Sequence, residues 1–183
     1  MPTPSRTSVH EIVAAGRAVL ESDGLDGLTM QGVAVGVRAP SLYKRVPGRS
    51  ALIRLIANHI ARELTVAIDA AASTGDPRRD LRAIAEAYRT FALAHPASYG
   101  LLYANLPAEM RVDPELNARA SEALLRVVGG LAGEERTLEA ARTVVAWANG
   151  FLAMELAGAF RLGGDVDRAF DYGIDRITAA IEA

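Results

Sequence analysis

The spacing of apolar residues along the chain predicts an all-α protein. Strands are recognised by a period-two alternation rich in β-branched residues, and no segment sustains that pattern. The clearest helical signal predicts one long helix over about residues 50–72. One face of this helix consists of apolar side chains at every fourth position, namely Leu52, Ile56, Ile60, Leu64 and Ile68.

Capping residues and helix breakers divide the remaining chain into shorter helices, for about nine in total. Ser8, followed three residues later by Glu11, is typical of a capping box at a helix start, and Gly24 is expected to end that helix. Pro96 ends a later helix, because the residue before a proline disfavours helical geometry. The predicted helices cover approximately residues 8–24, 29–35, 39–46, 50–72, 77–95, 99–105, 113–130, 136–160 and 166–181.

Residues 29–46 have the layout of a helix-turn-helix. They comprise a capping threonine, a short helix, a Gly-Val turn and a second helix that begins at a proline. The second helix carries the hydrogen-bond donors and cations that a DNA-reading helix needs. These side chains are Arg38, Ser41, Tyr43, Lys44 and Arg45. Arg49 follows at the start of the long helix, where its side chain and the helix N-terminus can hold a phosphate.

The distribution of charge supports this interpretation. The whole chain has a formal net charge of −2, but residues 1–62 contain eight basic and four acidic side chains, whereas the remainder contains twelve and eighteen. A basic segment joined to an acidic one lets one end of the protein approach DNA phosphates. Chance scatter of surface charge remains the alternative explanation.

The penultimate predicted helix, near residues 136–160, predicts a homodimer. It is apolar around most of its circumference and so needs cover on every side. In a chain of 183 residues the simplest cover is a second copy, with the last two helices of each chain forming a two-fold symmetric four-helix bundle. The residues predicted to lie in this interface are Val144, Ala148, Phe151, Leu152, Phe170, Ile174 and Ile177.

The string GLTMQGVAVGVRAPSLYKRVPGRSALI resembles the DNA-binding segment of the TetR family of transcriptional regulators. The resemblance covers roughly residues 8–60, and its matching features are Leu28-Thr29, Val33-Ala34, Gly36-Val37, Pro40, Leu42-Tyr43, Val46, and Arg49 followed by Leu52. Between Thr29 and Gly36 this chain is two residues shorter than is usual in the family, so the first helix of the motif should be short.

The resemblance implies a role for each residue of the motif. Thr29, Tyr43 and Arg49 would contact phosphates, with half-buried packing as the alternative for Tyr43. Arg45 would be either a further phosphate contact or a solvated side chain. The residues implied to face base edges in the major groove are Arg38, Ala39, Pro40, Ser41 and Lys44.

The resemblance also implies an organisation and a function. Residues 1–48 would form a helix-turn-helix DNA-binding domain, and residues 49–183 a helical domain for ligand binding and dimerisation. The partners would be double-stranded DNA with a near-palindromic operator, a second copy of the chain and a small-molecule effector. The protein would be a repressor that the effector releases from its operator.

Two later segments, AYRTFALAHPASYGLLY and AWANGFLAMELAGAF, resemble the regulatory domain of a TetR subgroup known for a Trp-His-Gly signature. Trp147 and Gly150 match the signature, and Asn149 stands where the histidine would be. Residues that combine apolar bulk with polar tips give candidates for the effector pocket, although core packing is the alternative for each one alone. These candidates are Tyr88, Phe91, Tyr99, Leu102, Tyr103, Met110, Trp147, Asn149 and Met154.

Other chemistries have little support in the sequence. The chain has no cysteine, and His10, His59 and His95 lie on separate segments without metal-ligand spacing, so they are predicted to be surface or helix-end residues. No nucleophile elbow, P-loop or dinucleotide fingerprint occurs. We therefore expect no enzyme activity, cofactor or metal. The alternatives are a helical enzyme with a site assembled from distant residues, and a ligand-binding or adaptor bundle without DNA affinity.

The expected location is the cytoplasm. The first residues, MPTPSRTSVHEIV, lack the apolar core of a signal peptide. The longest apolar stretch, Val144 to Ala159, contains Asn149 and Glu155 and is too short to span a membrane. The sequence therefore predicts no membrane partner.

Overall fold

The computed structural model describes residues 8–37 and 39–182, and for Ala39, Pro40 and Ser41 it describes only the backbone. Within these residues it contains nine α-helices, two single-turn 3₁₀-helices (Ala108–Met110 and Glu134–Arg136) and no strand, which confirms the predicted all-α class. The helices are α1 (Val9–Gly27), α2 (Met30–Gly36), α3 (Ala39–Arg45), α4 (Arg49–Ala71), α5 (Pro77–Ala94), α6 (Pro96–Tyr103), α7 (Pro114–Ala132), α8 (Thr137–Leu156) and α9 (Val166–Ile181).

The predicted start and break of α1 are both confirmed. The backbone N–H of Glu11 donates to Ser8 Oγ over 3.1 Å, and the backbone N–H of Ser8 donates to Glu11 Oε2 over 2.6 Å. This reciprocal pair satisfies two amides that a helix start leaves without an internal partner. Gly24 has a φ of 71°, which interrupts the helix as expected, and one further turn follows it.

Two other helix ends differ from the prediction. Helix α8 ends at Leu156, because Gly158 takes a φ of 61° and its N–H donates to the carbonyl of Glu155 over 2.9 Å. This left-handed glycine satisfies carbonyls at the end of the helix before the predicted limit at Phe160. Helix α6 begins at Pro96 instead of Tyr99, since a proline suits the first turn of a helix.

The chain divides into two compact units. The first comprises the described parts of Met1–Glu63 together with His95–Asn117, and the second comprises those of Leu64–Ala94 and Ala118–Ala183. Helix α4 contributes to both units. The division into functional domains at residues 48 and 49 concerns which part binds DNA, and it stays a prediction.

The first unit is built around α1, which packs against α2 and α6. At Gly16 the helix also lies close to α4, because a Cβ there would overlap Cδ1 of Ile56. Glu21 accepts hydrogen bonds from the backbone N–H groups of Ala97 and Ser98 over 3.1 and 2.9 Å, and so caps the first turn of α6. The fully buried aliphatic side chains of this unit are Ile12, Leu20, Leu28, Val33, Leu42, Leu52, Ile53, Ile56 and Ile60.

The second unit joins α5, α8 and α9 by arginine side chains as well as by apolar packing. Arg89 of α5 donates to Glu155 over 2.9 Å and to Asp167 over 2.6 Å, and its guanidinium lies 4.9 Å from the ring centroid of Phe170. The hydrogen bond to Glu155 raises the pKa of Arg89 above its usual range. Arg82 pairs with Asp171 and Asp175 of α9 in the same way. These cations therefore stabilise the bundle from within the chain.

An aromatic cluster fills the space between α8 and α9. The ring of Phe170 lies 5.3 Å from Trp147 and 5.2 Å from Phe151, measured between centroids. Gly173 leaves room for the indole, because a Cβ at this position would lie 2.5 Å from Cζ2 of Trp147. Packing at these distances contributes beyond the area it buries.

Five of the seven residues predicted for the dimer interface pack inside a single chain, and the interface itself stays a prediction. Val144, Ala148, Leu152, Phe170 and Ile174 are buried inside a single chain, with Leu152 at 0% exposure. Phe151 and Ile177 are half-buried. The apolar periodicity identified the inner faces of α8 and α9, but those faces cover one another. A partner chain would have to contact the outer faces.

The turn between α4 and α5 is held by a buried carboxylate. Asp80 accepts hydrogen bonds from the hydroxyl and the backbone N–H of Thr74, over 2.6 and 2.9 Å, and from the N–H of Gly75 over 3.1 Å. The Thr74 hydroxyl is the main cause that lowers the pKa of Asp80 below its ordinary value. The predicted break at residues 73–77 is thus a structured turn.

Candidate nucleic-acid interface and effector cavity

The helix-turn-helix predicted from the sequence is present. Thr29 caps α2, with its hydroxyl oxygen accepting a hydrogen bond from the N–H of Gly32 over 3.0 Å. Helix α2 has seven residues, as the shortened sequence predicted, and Val37 then adopts an extended conformation. Val33 is fully buried and holds α2 against the core. Thr29 is therefore a capping residue whichever role it has toward DNA.

Helix α3 presents its polar residues outward because two aliphatic side chains hold its other face. Leu42 is fully buried and Val46, four residues later, is 3% exposed. Residues at this spacing lie on one side of a helix. The three intervening side chains, Tyr43, Lys44 and Arg45, are therefore exposed, and Tyr43 is 54% exposed. Tyr43 is thus mainly a surface residue.

Besides Lys44, four residues were predicted to face base edges, and the structure describes the side chain of none of these four. Arg38 lies outside the described residues, and the side chains of Ala39, Pro40 and Ser41 do as well. The backbone of Ala39, Pro40 and Ser41 forms the first turn of α3, which agrees with the prediction of a helix that begins at a proline.

Arg49 has a role that the sequence analysis missed. Its Nε donates to the carbonyl oxygen of Leu28 over 2.9 Å and its Nη2 donates to that of Leu25 over 2.7 Å. The first residue of α4 thereby satisfies carbonyl groups at the end of α1, where a cation is favourable. The carbonyl groups at the end of a helix need hydrogen-bond donors from elsewhere. The spacing of residues along the chain could not predict that a donor 21 to 24 residues away would supply them.

Two of the four effector-pocket candidates of the first unit line a cavity of about 300 Å³. Leu102 and Met110 line it, whereas the rings of Tyr99 and Tyr103 pack against each other with centroids 5.3 Å apart. Tyr99 is buried and Tyr103 is exposed. The other residues that line the cavity were not predicted, and they are Ala57, Leu101, Ala104, Leu106, Arg111, Val112, Pro114 and Asn117.

The candidates of the second unit form pairs and core contacts. The hydroxyl of Tyr88 donates to Asn149 Oδ1 over 2.9 Å, and Asn149 Nδ2 donates to the carbonyl of Val145 over 2.9 Å. Phe91 is buried and Met154 is exposed. Trp147 belongs to the aromatic cluster between α8 and α9. This position corresponds to core packing, the alternative to a role in the effector pocket.

The arrangement as a whole defines a helical protein with a helix-turn-helix that presents an exposed cationic helix. Residues 81–177, more than half of the chain, match the family model described as "Tetracyclin repressor-like, C-terminal domain". The chain therefore belongs to the TetR family of transcriptional regulators. The match does not confirm the Trp-His-Gly subgroup, which stays a prediction.

Solved structures show the same fold over nearly all of the chain. A protein of unknown function from Rhodococcus sp. RHA1 has a TM-score of 0.82 at 24% identity, with 100% of each chain covered. A TetR transcriptional regulator from Streptomyces coelicolor has a TM-score of 0.74 at 18% identity, covering 96% of this chain and 97% of its own. TetR from Acinetobacter baumannii AYE has a TM-score of 0.67 at 21% identity, covering 95% and 96%. A search of curated proteins found no match.

Among the helices of the described ranges, none is long and apolar enough to cross a bilayer. The same part of the chain holds no group of three or more histidine, cysteine or acidic side chains placed to bind one metal ion.

Proposed function

We propose that this regulator binds a near-palindromic DNA operator as a homodimer, represses transcription there and is released by a small-molecule effector. The observation that carries the proposal is the outward display of Tyr43, Lys44 and Arg45 on a helix whose inner face is fixed by Leu42 and Val46. Cationic side chains and a hydroxyl group on one exposed helix are what major-groove reading and phosphate contact require. In this proposal Lys44 reads base edges with Arg38, Ala39, Pro40 and Ser41, and Tyr43 contacts a phosphate.

Arg49 and Thr29 would act on the DNA in a different way from the one first expected. Both side chains already have partners within the protein, Arg49 with the end of α1 and Thr29 with the start of α2. We propose that they fix the angle between the helices, and that the remaining N–H groups of Arg49 face a phosphate. Arg45 would supply a further, sequence-independent phosphate contact.

The proposed dimer uses the outer faces of α8 and α9. On α8 the exposed residues opposite the buried face include the small residues Ala146, Gly150 and Ala153. On α9 Tyr172 is 69% exposed. Small residues let two helices approach closely. The proposal requires that the two reading helices of the dimer lie about 34 Å apart, one turn of DNA.

A charge on this face tests the dimer. Ala146→Glu should convert the dimer to a monomer in analytical ultracentrifugation, because two copies of the carboxylate would meet near the axis. Thr90→Glu, at an exposed position of α5, is the matched control and should stay dimeric. A dimeric Ala146→Glu protein would contradict the proposed interface.

The proposed effector site is the cavity of about 300 Å³ in the first unit. Its lining is mainly aliphatic, with Arg111 and Asn117 as polar groups, so it suits a small apolar molecule with a hydrogen-bond acceptor. Ala57 places α4 in its wall, and α4 carries Arg49 at its start. A ligand that shifts α4 would change the position of α3, and a coupling of about 1–3 kcal/mol would lower operator affinity about 5- to 150-fold.

Selection from a random pool of duplexes tests the function as a whole. The proposal predicts that one sequence is enriched, that it is close to palindromic, and that its half-sites are about one helical turn apart. Binding should also weaken steeply as the salt concentration rises, because bound cations release counterions. A ligand-binding or adaptor bundle would enrich nothing.

A further inference from the structure

All three histidines of the chain line one groove in the first unit, although they lie far apart in the sequence. His10 is in the first turn of α1, His59 is in α4, and His95 is the residue before α6. The groove has a volume of about 420 Å³, within the range of small-molecule sites. Its other lining residues are Val13, Ala14, Arg17, Ala18 and Glu21. The groove is separate from the proposed effector cavity, because no residue lines both.

Arg17 supplies this groove with an unsatisfied donor. Its Nη1 forms an ion pair with Glu63 of α4, and its side chain is 19% exposed. The Nη2 atom is buried, yet no hydrogen-bond partner for it occurs among the described residues. A buried donor without an acceptor is costly, and more so on a charged group. An acceptor bound in the groove would remove that cost.

Glu21 is the acidic residue of the groove lining, and its hydrogen bonds weaken the repulsion that it would exert on a bound anion. Glu21 accepts hydrogen bonds from the N–H groups of Ala97 and Ser98, so its charge faces the positive end of α6. Glu63 is likewise engaged by Arg17. The remaining wall, formed by Val13, Ala14 and Ala18 of α1, is apolar. The groove thus offers nitrogen donors on several sides and hydrocarbon on another.

We propose that this groove binds a small organic carboxylate with an apolar body. The carboxylate accepts hydrogen bonds from Arg17 Nη2 and from the imidazole N–H groups of His10 and His59, and the hydrocarbon part covers the alanines and valine of α1. Such a ligand contacts α1, α4 and the start of α6 together, so it sets the position of α1 beneath the helix-turn-helix. This site goes beyond the proposed effector response, and its test does not depend on DNA binding.

The unmodified full chain, without a histidine tag, provides a direct readout. Because every histidine lines the groove, imidazole ¹H–¹⁵N spectra report on this site alone. Hexanoate should shift these signals saturably, whereas hexylamine and hexanol, which match its length, should not. Absence of saturation by about 10 mM hexanoate would overturn the proposal, since that is weaker than any useful site. A shift caused by operator DNA but not by hexanoate would also overturn it.

Variants locate the binding. The double substitution His10→Ala and His59→Ala should weaken hexanoate binding at least about tenfold in calorimetry, because two donors to the carboxylate are lost. Arg79→Gln, at an exposed position of α5 that lines neither cavity, should leave that binding unchanged. If Arg111→Gln, in the proposed effector cavity, abolishes it and the histidine variant does not, the carboxylate belongs to that cavity and the proposal is wrong. Circular dichroism checks the helical content of each variant, and the wild-type spectra decide the matter if the double variant fails to fold.

Discussion

Helix α3 and the α5–α8–α9 bundle differ in how they use four of their cations. In the bundle, Arg82 and Arg89 are hydrogen-bonded to carboxylates of neighbouring helices. On α3, Lys44 and Arg45 are exposed and form no ion pair with any residue that the structure describes. Paired cations contribute to the stability of the fold, whereas unpaired cations on a surface remain available to a partner. The contrast supports assigning the DNA contact to α3 and the scaffold to the bundle.

The same contrast appears in how the elements are held. The bundle packs Trp147, Phe151 and Phe170 ring against ring. Helix α3 is held through Leu42 and, just beyond its end, Val46. Substitutions in the bundle should therefore change the free energy of unfolding, whereas substitutions on the outer face of α3 should change DNA affinity alone. Each prediction below tests one side of this comparison.

The largest expected effect is at the centre of the aromatic cluster. Phe170→Ala removes a ring that is 2% exposed and leaves a cavity between α8 and α9. The free energy of unfolding should fall by about 3–5 kcal/mol, as measured by urea titration. A loss below about 1 kcal/mol would show that the cluster does not stabilise the bundle.

The next effect compares a cation in each region. Arg89→Met leaves the carboxylate of Glu155, whose side chain is 14% exposed, without its partner. This should lower the free energy of unfolding by about 2–3 kcal/mol. The value lies at the lower end for buried ion pairs, because the second carboxylate that Arg89 contacts, Asp167, is largely exposed and stays solvated without its partner. Lys44→Ala should change it by less than about 0.5 kcal/mol. Equal effects of the two substitutions would contradict the proposed division of roles.

A glycine in α9 provides a smaller test of packing. Gly173→Ala should lower the free energy of unfolding by about 1–2 kcal/mol, because the new methyl group must displace the indole of Trp147. The emission of the single tryptophan should change at the same time. Gly100→Ala in α6 is the control, since a Cβ there meets nothing within 4 Å and alanine favours helix. If the control is the more destabilising of the two, the proposed contact is wrong.

The smallest expected effect is a loss of folding stability at acidic pH that depends on Asp80. Hydrogen bonds from Thr74 lower the pKa of Asp80 in the folded protein, so the ionised carboxylate stabilises the fold. That contribution is present above the ordinary pKa of 3.8 and is lost as the pH falls through the lower folded value. Unfolding measured from neutral to strongly acidic pH should show this acid loss in the wild type and less of it in Thr74→Val. Identical profiles would contradict the role given to Thr74.

Local signals in the sequence predicted most of the fold. The limits of α9, the capping box at Ser8 and the buried stripe of α4 all depend on residues within a few positions of one another. The helix-turn-helix could be predicted for the same reason. Its turn and its capping threonine are signals within a single short segment.

Contacts between distant segments could not be predicted. Periodicity identified the apolar faces of α8 and α9 but not what covers them, so Leu152 and Phe170 were placed in a dimer interface although they pack inside one chain. The link from Arg49 to the end of α1 and the groove shared by the histidines depend on tertiary structure in the same way. Spacing along the chain contains no information about either.

The central claim is that the outer face of α3 reads DNA, and operator affinity of Lys44→Ala tests it most directly. The duplex recovered by selection should be titrated with the wild type, with Lys44→Ala and with Arg79→Ala, an exposed arginine at the start of α5. We expect Lys44→Ala to lose about 1–3 kcal/mol of binding free energy and part of its preference for the selected sequence, while Arg79→Ala binds like the wild type. Operator binding by Lys44→Ala with unchanged affinity and sequence preference would contradict the account.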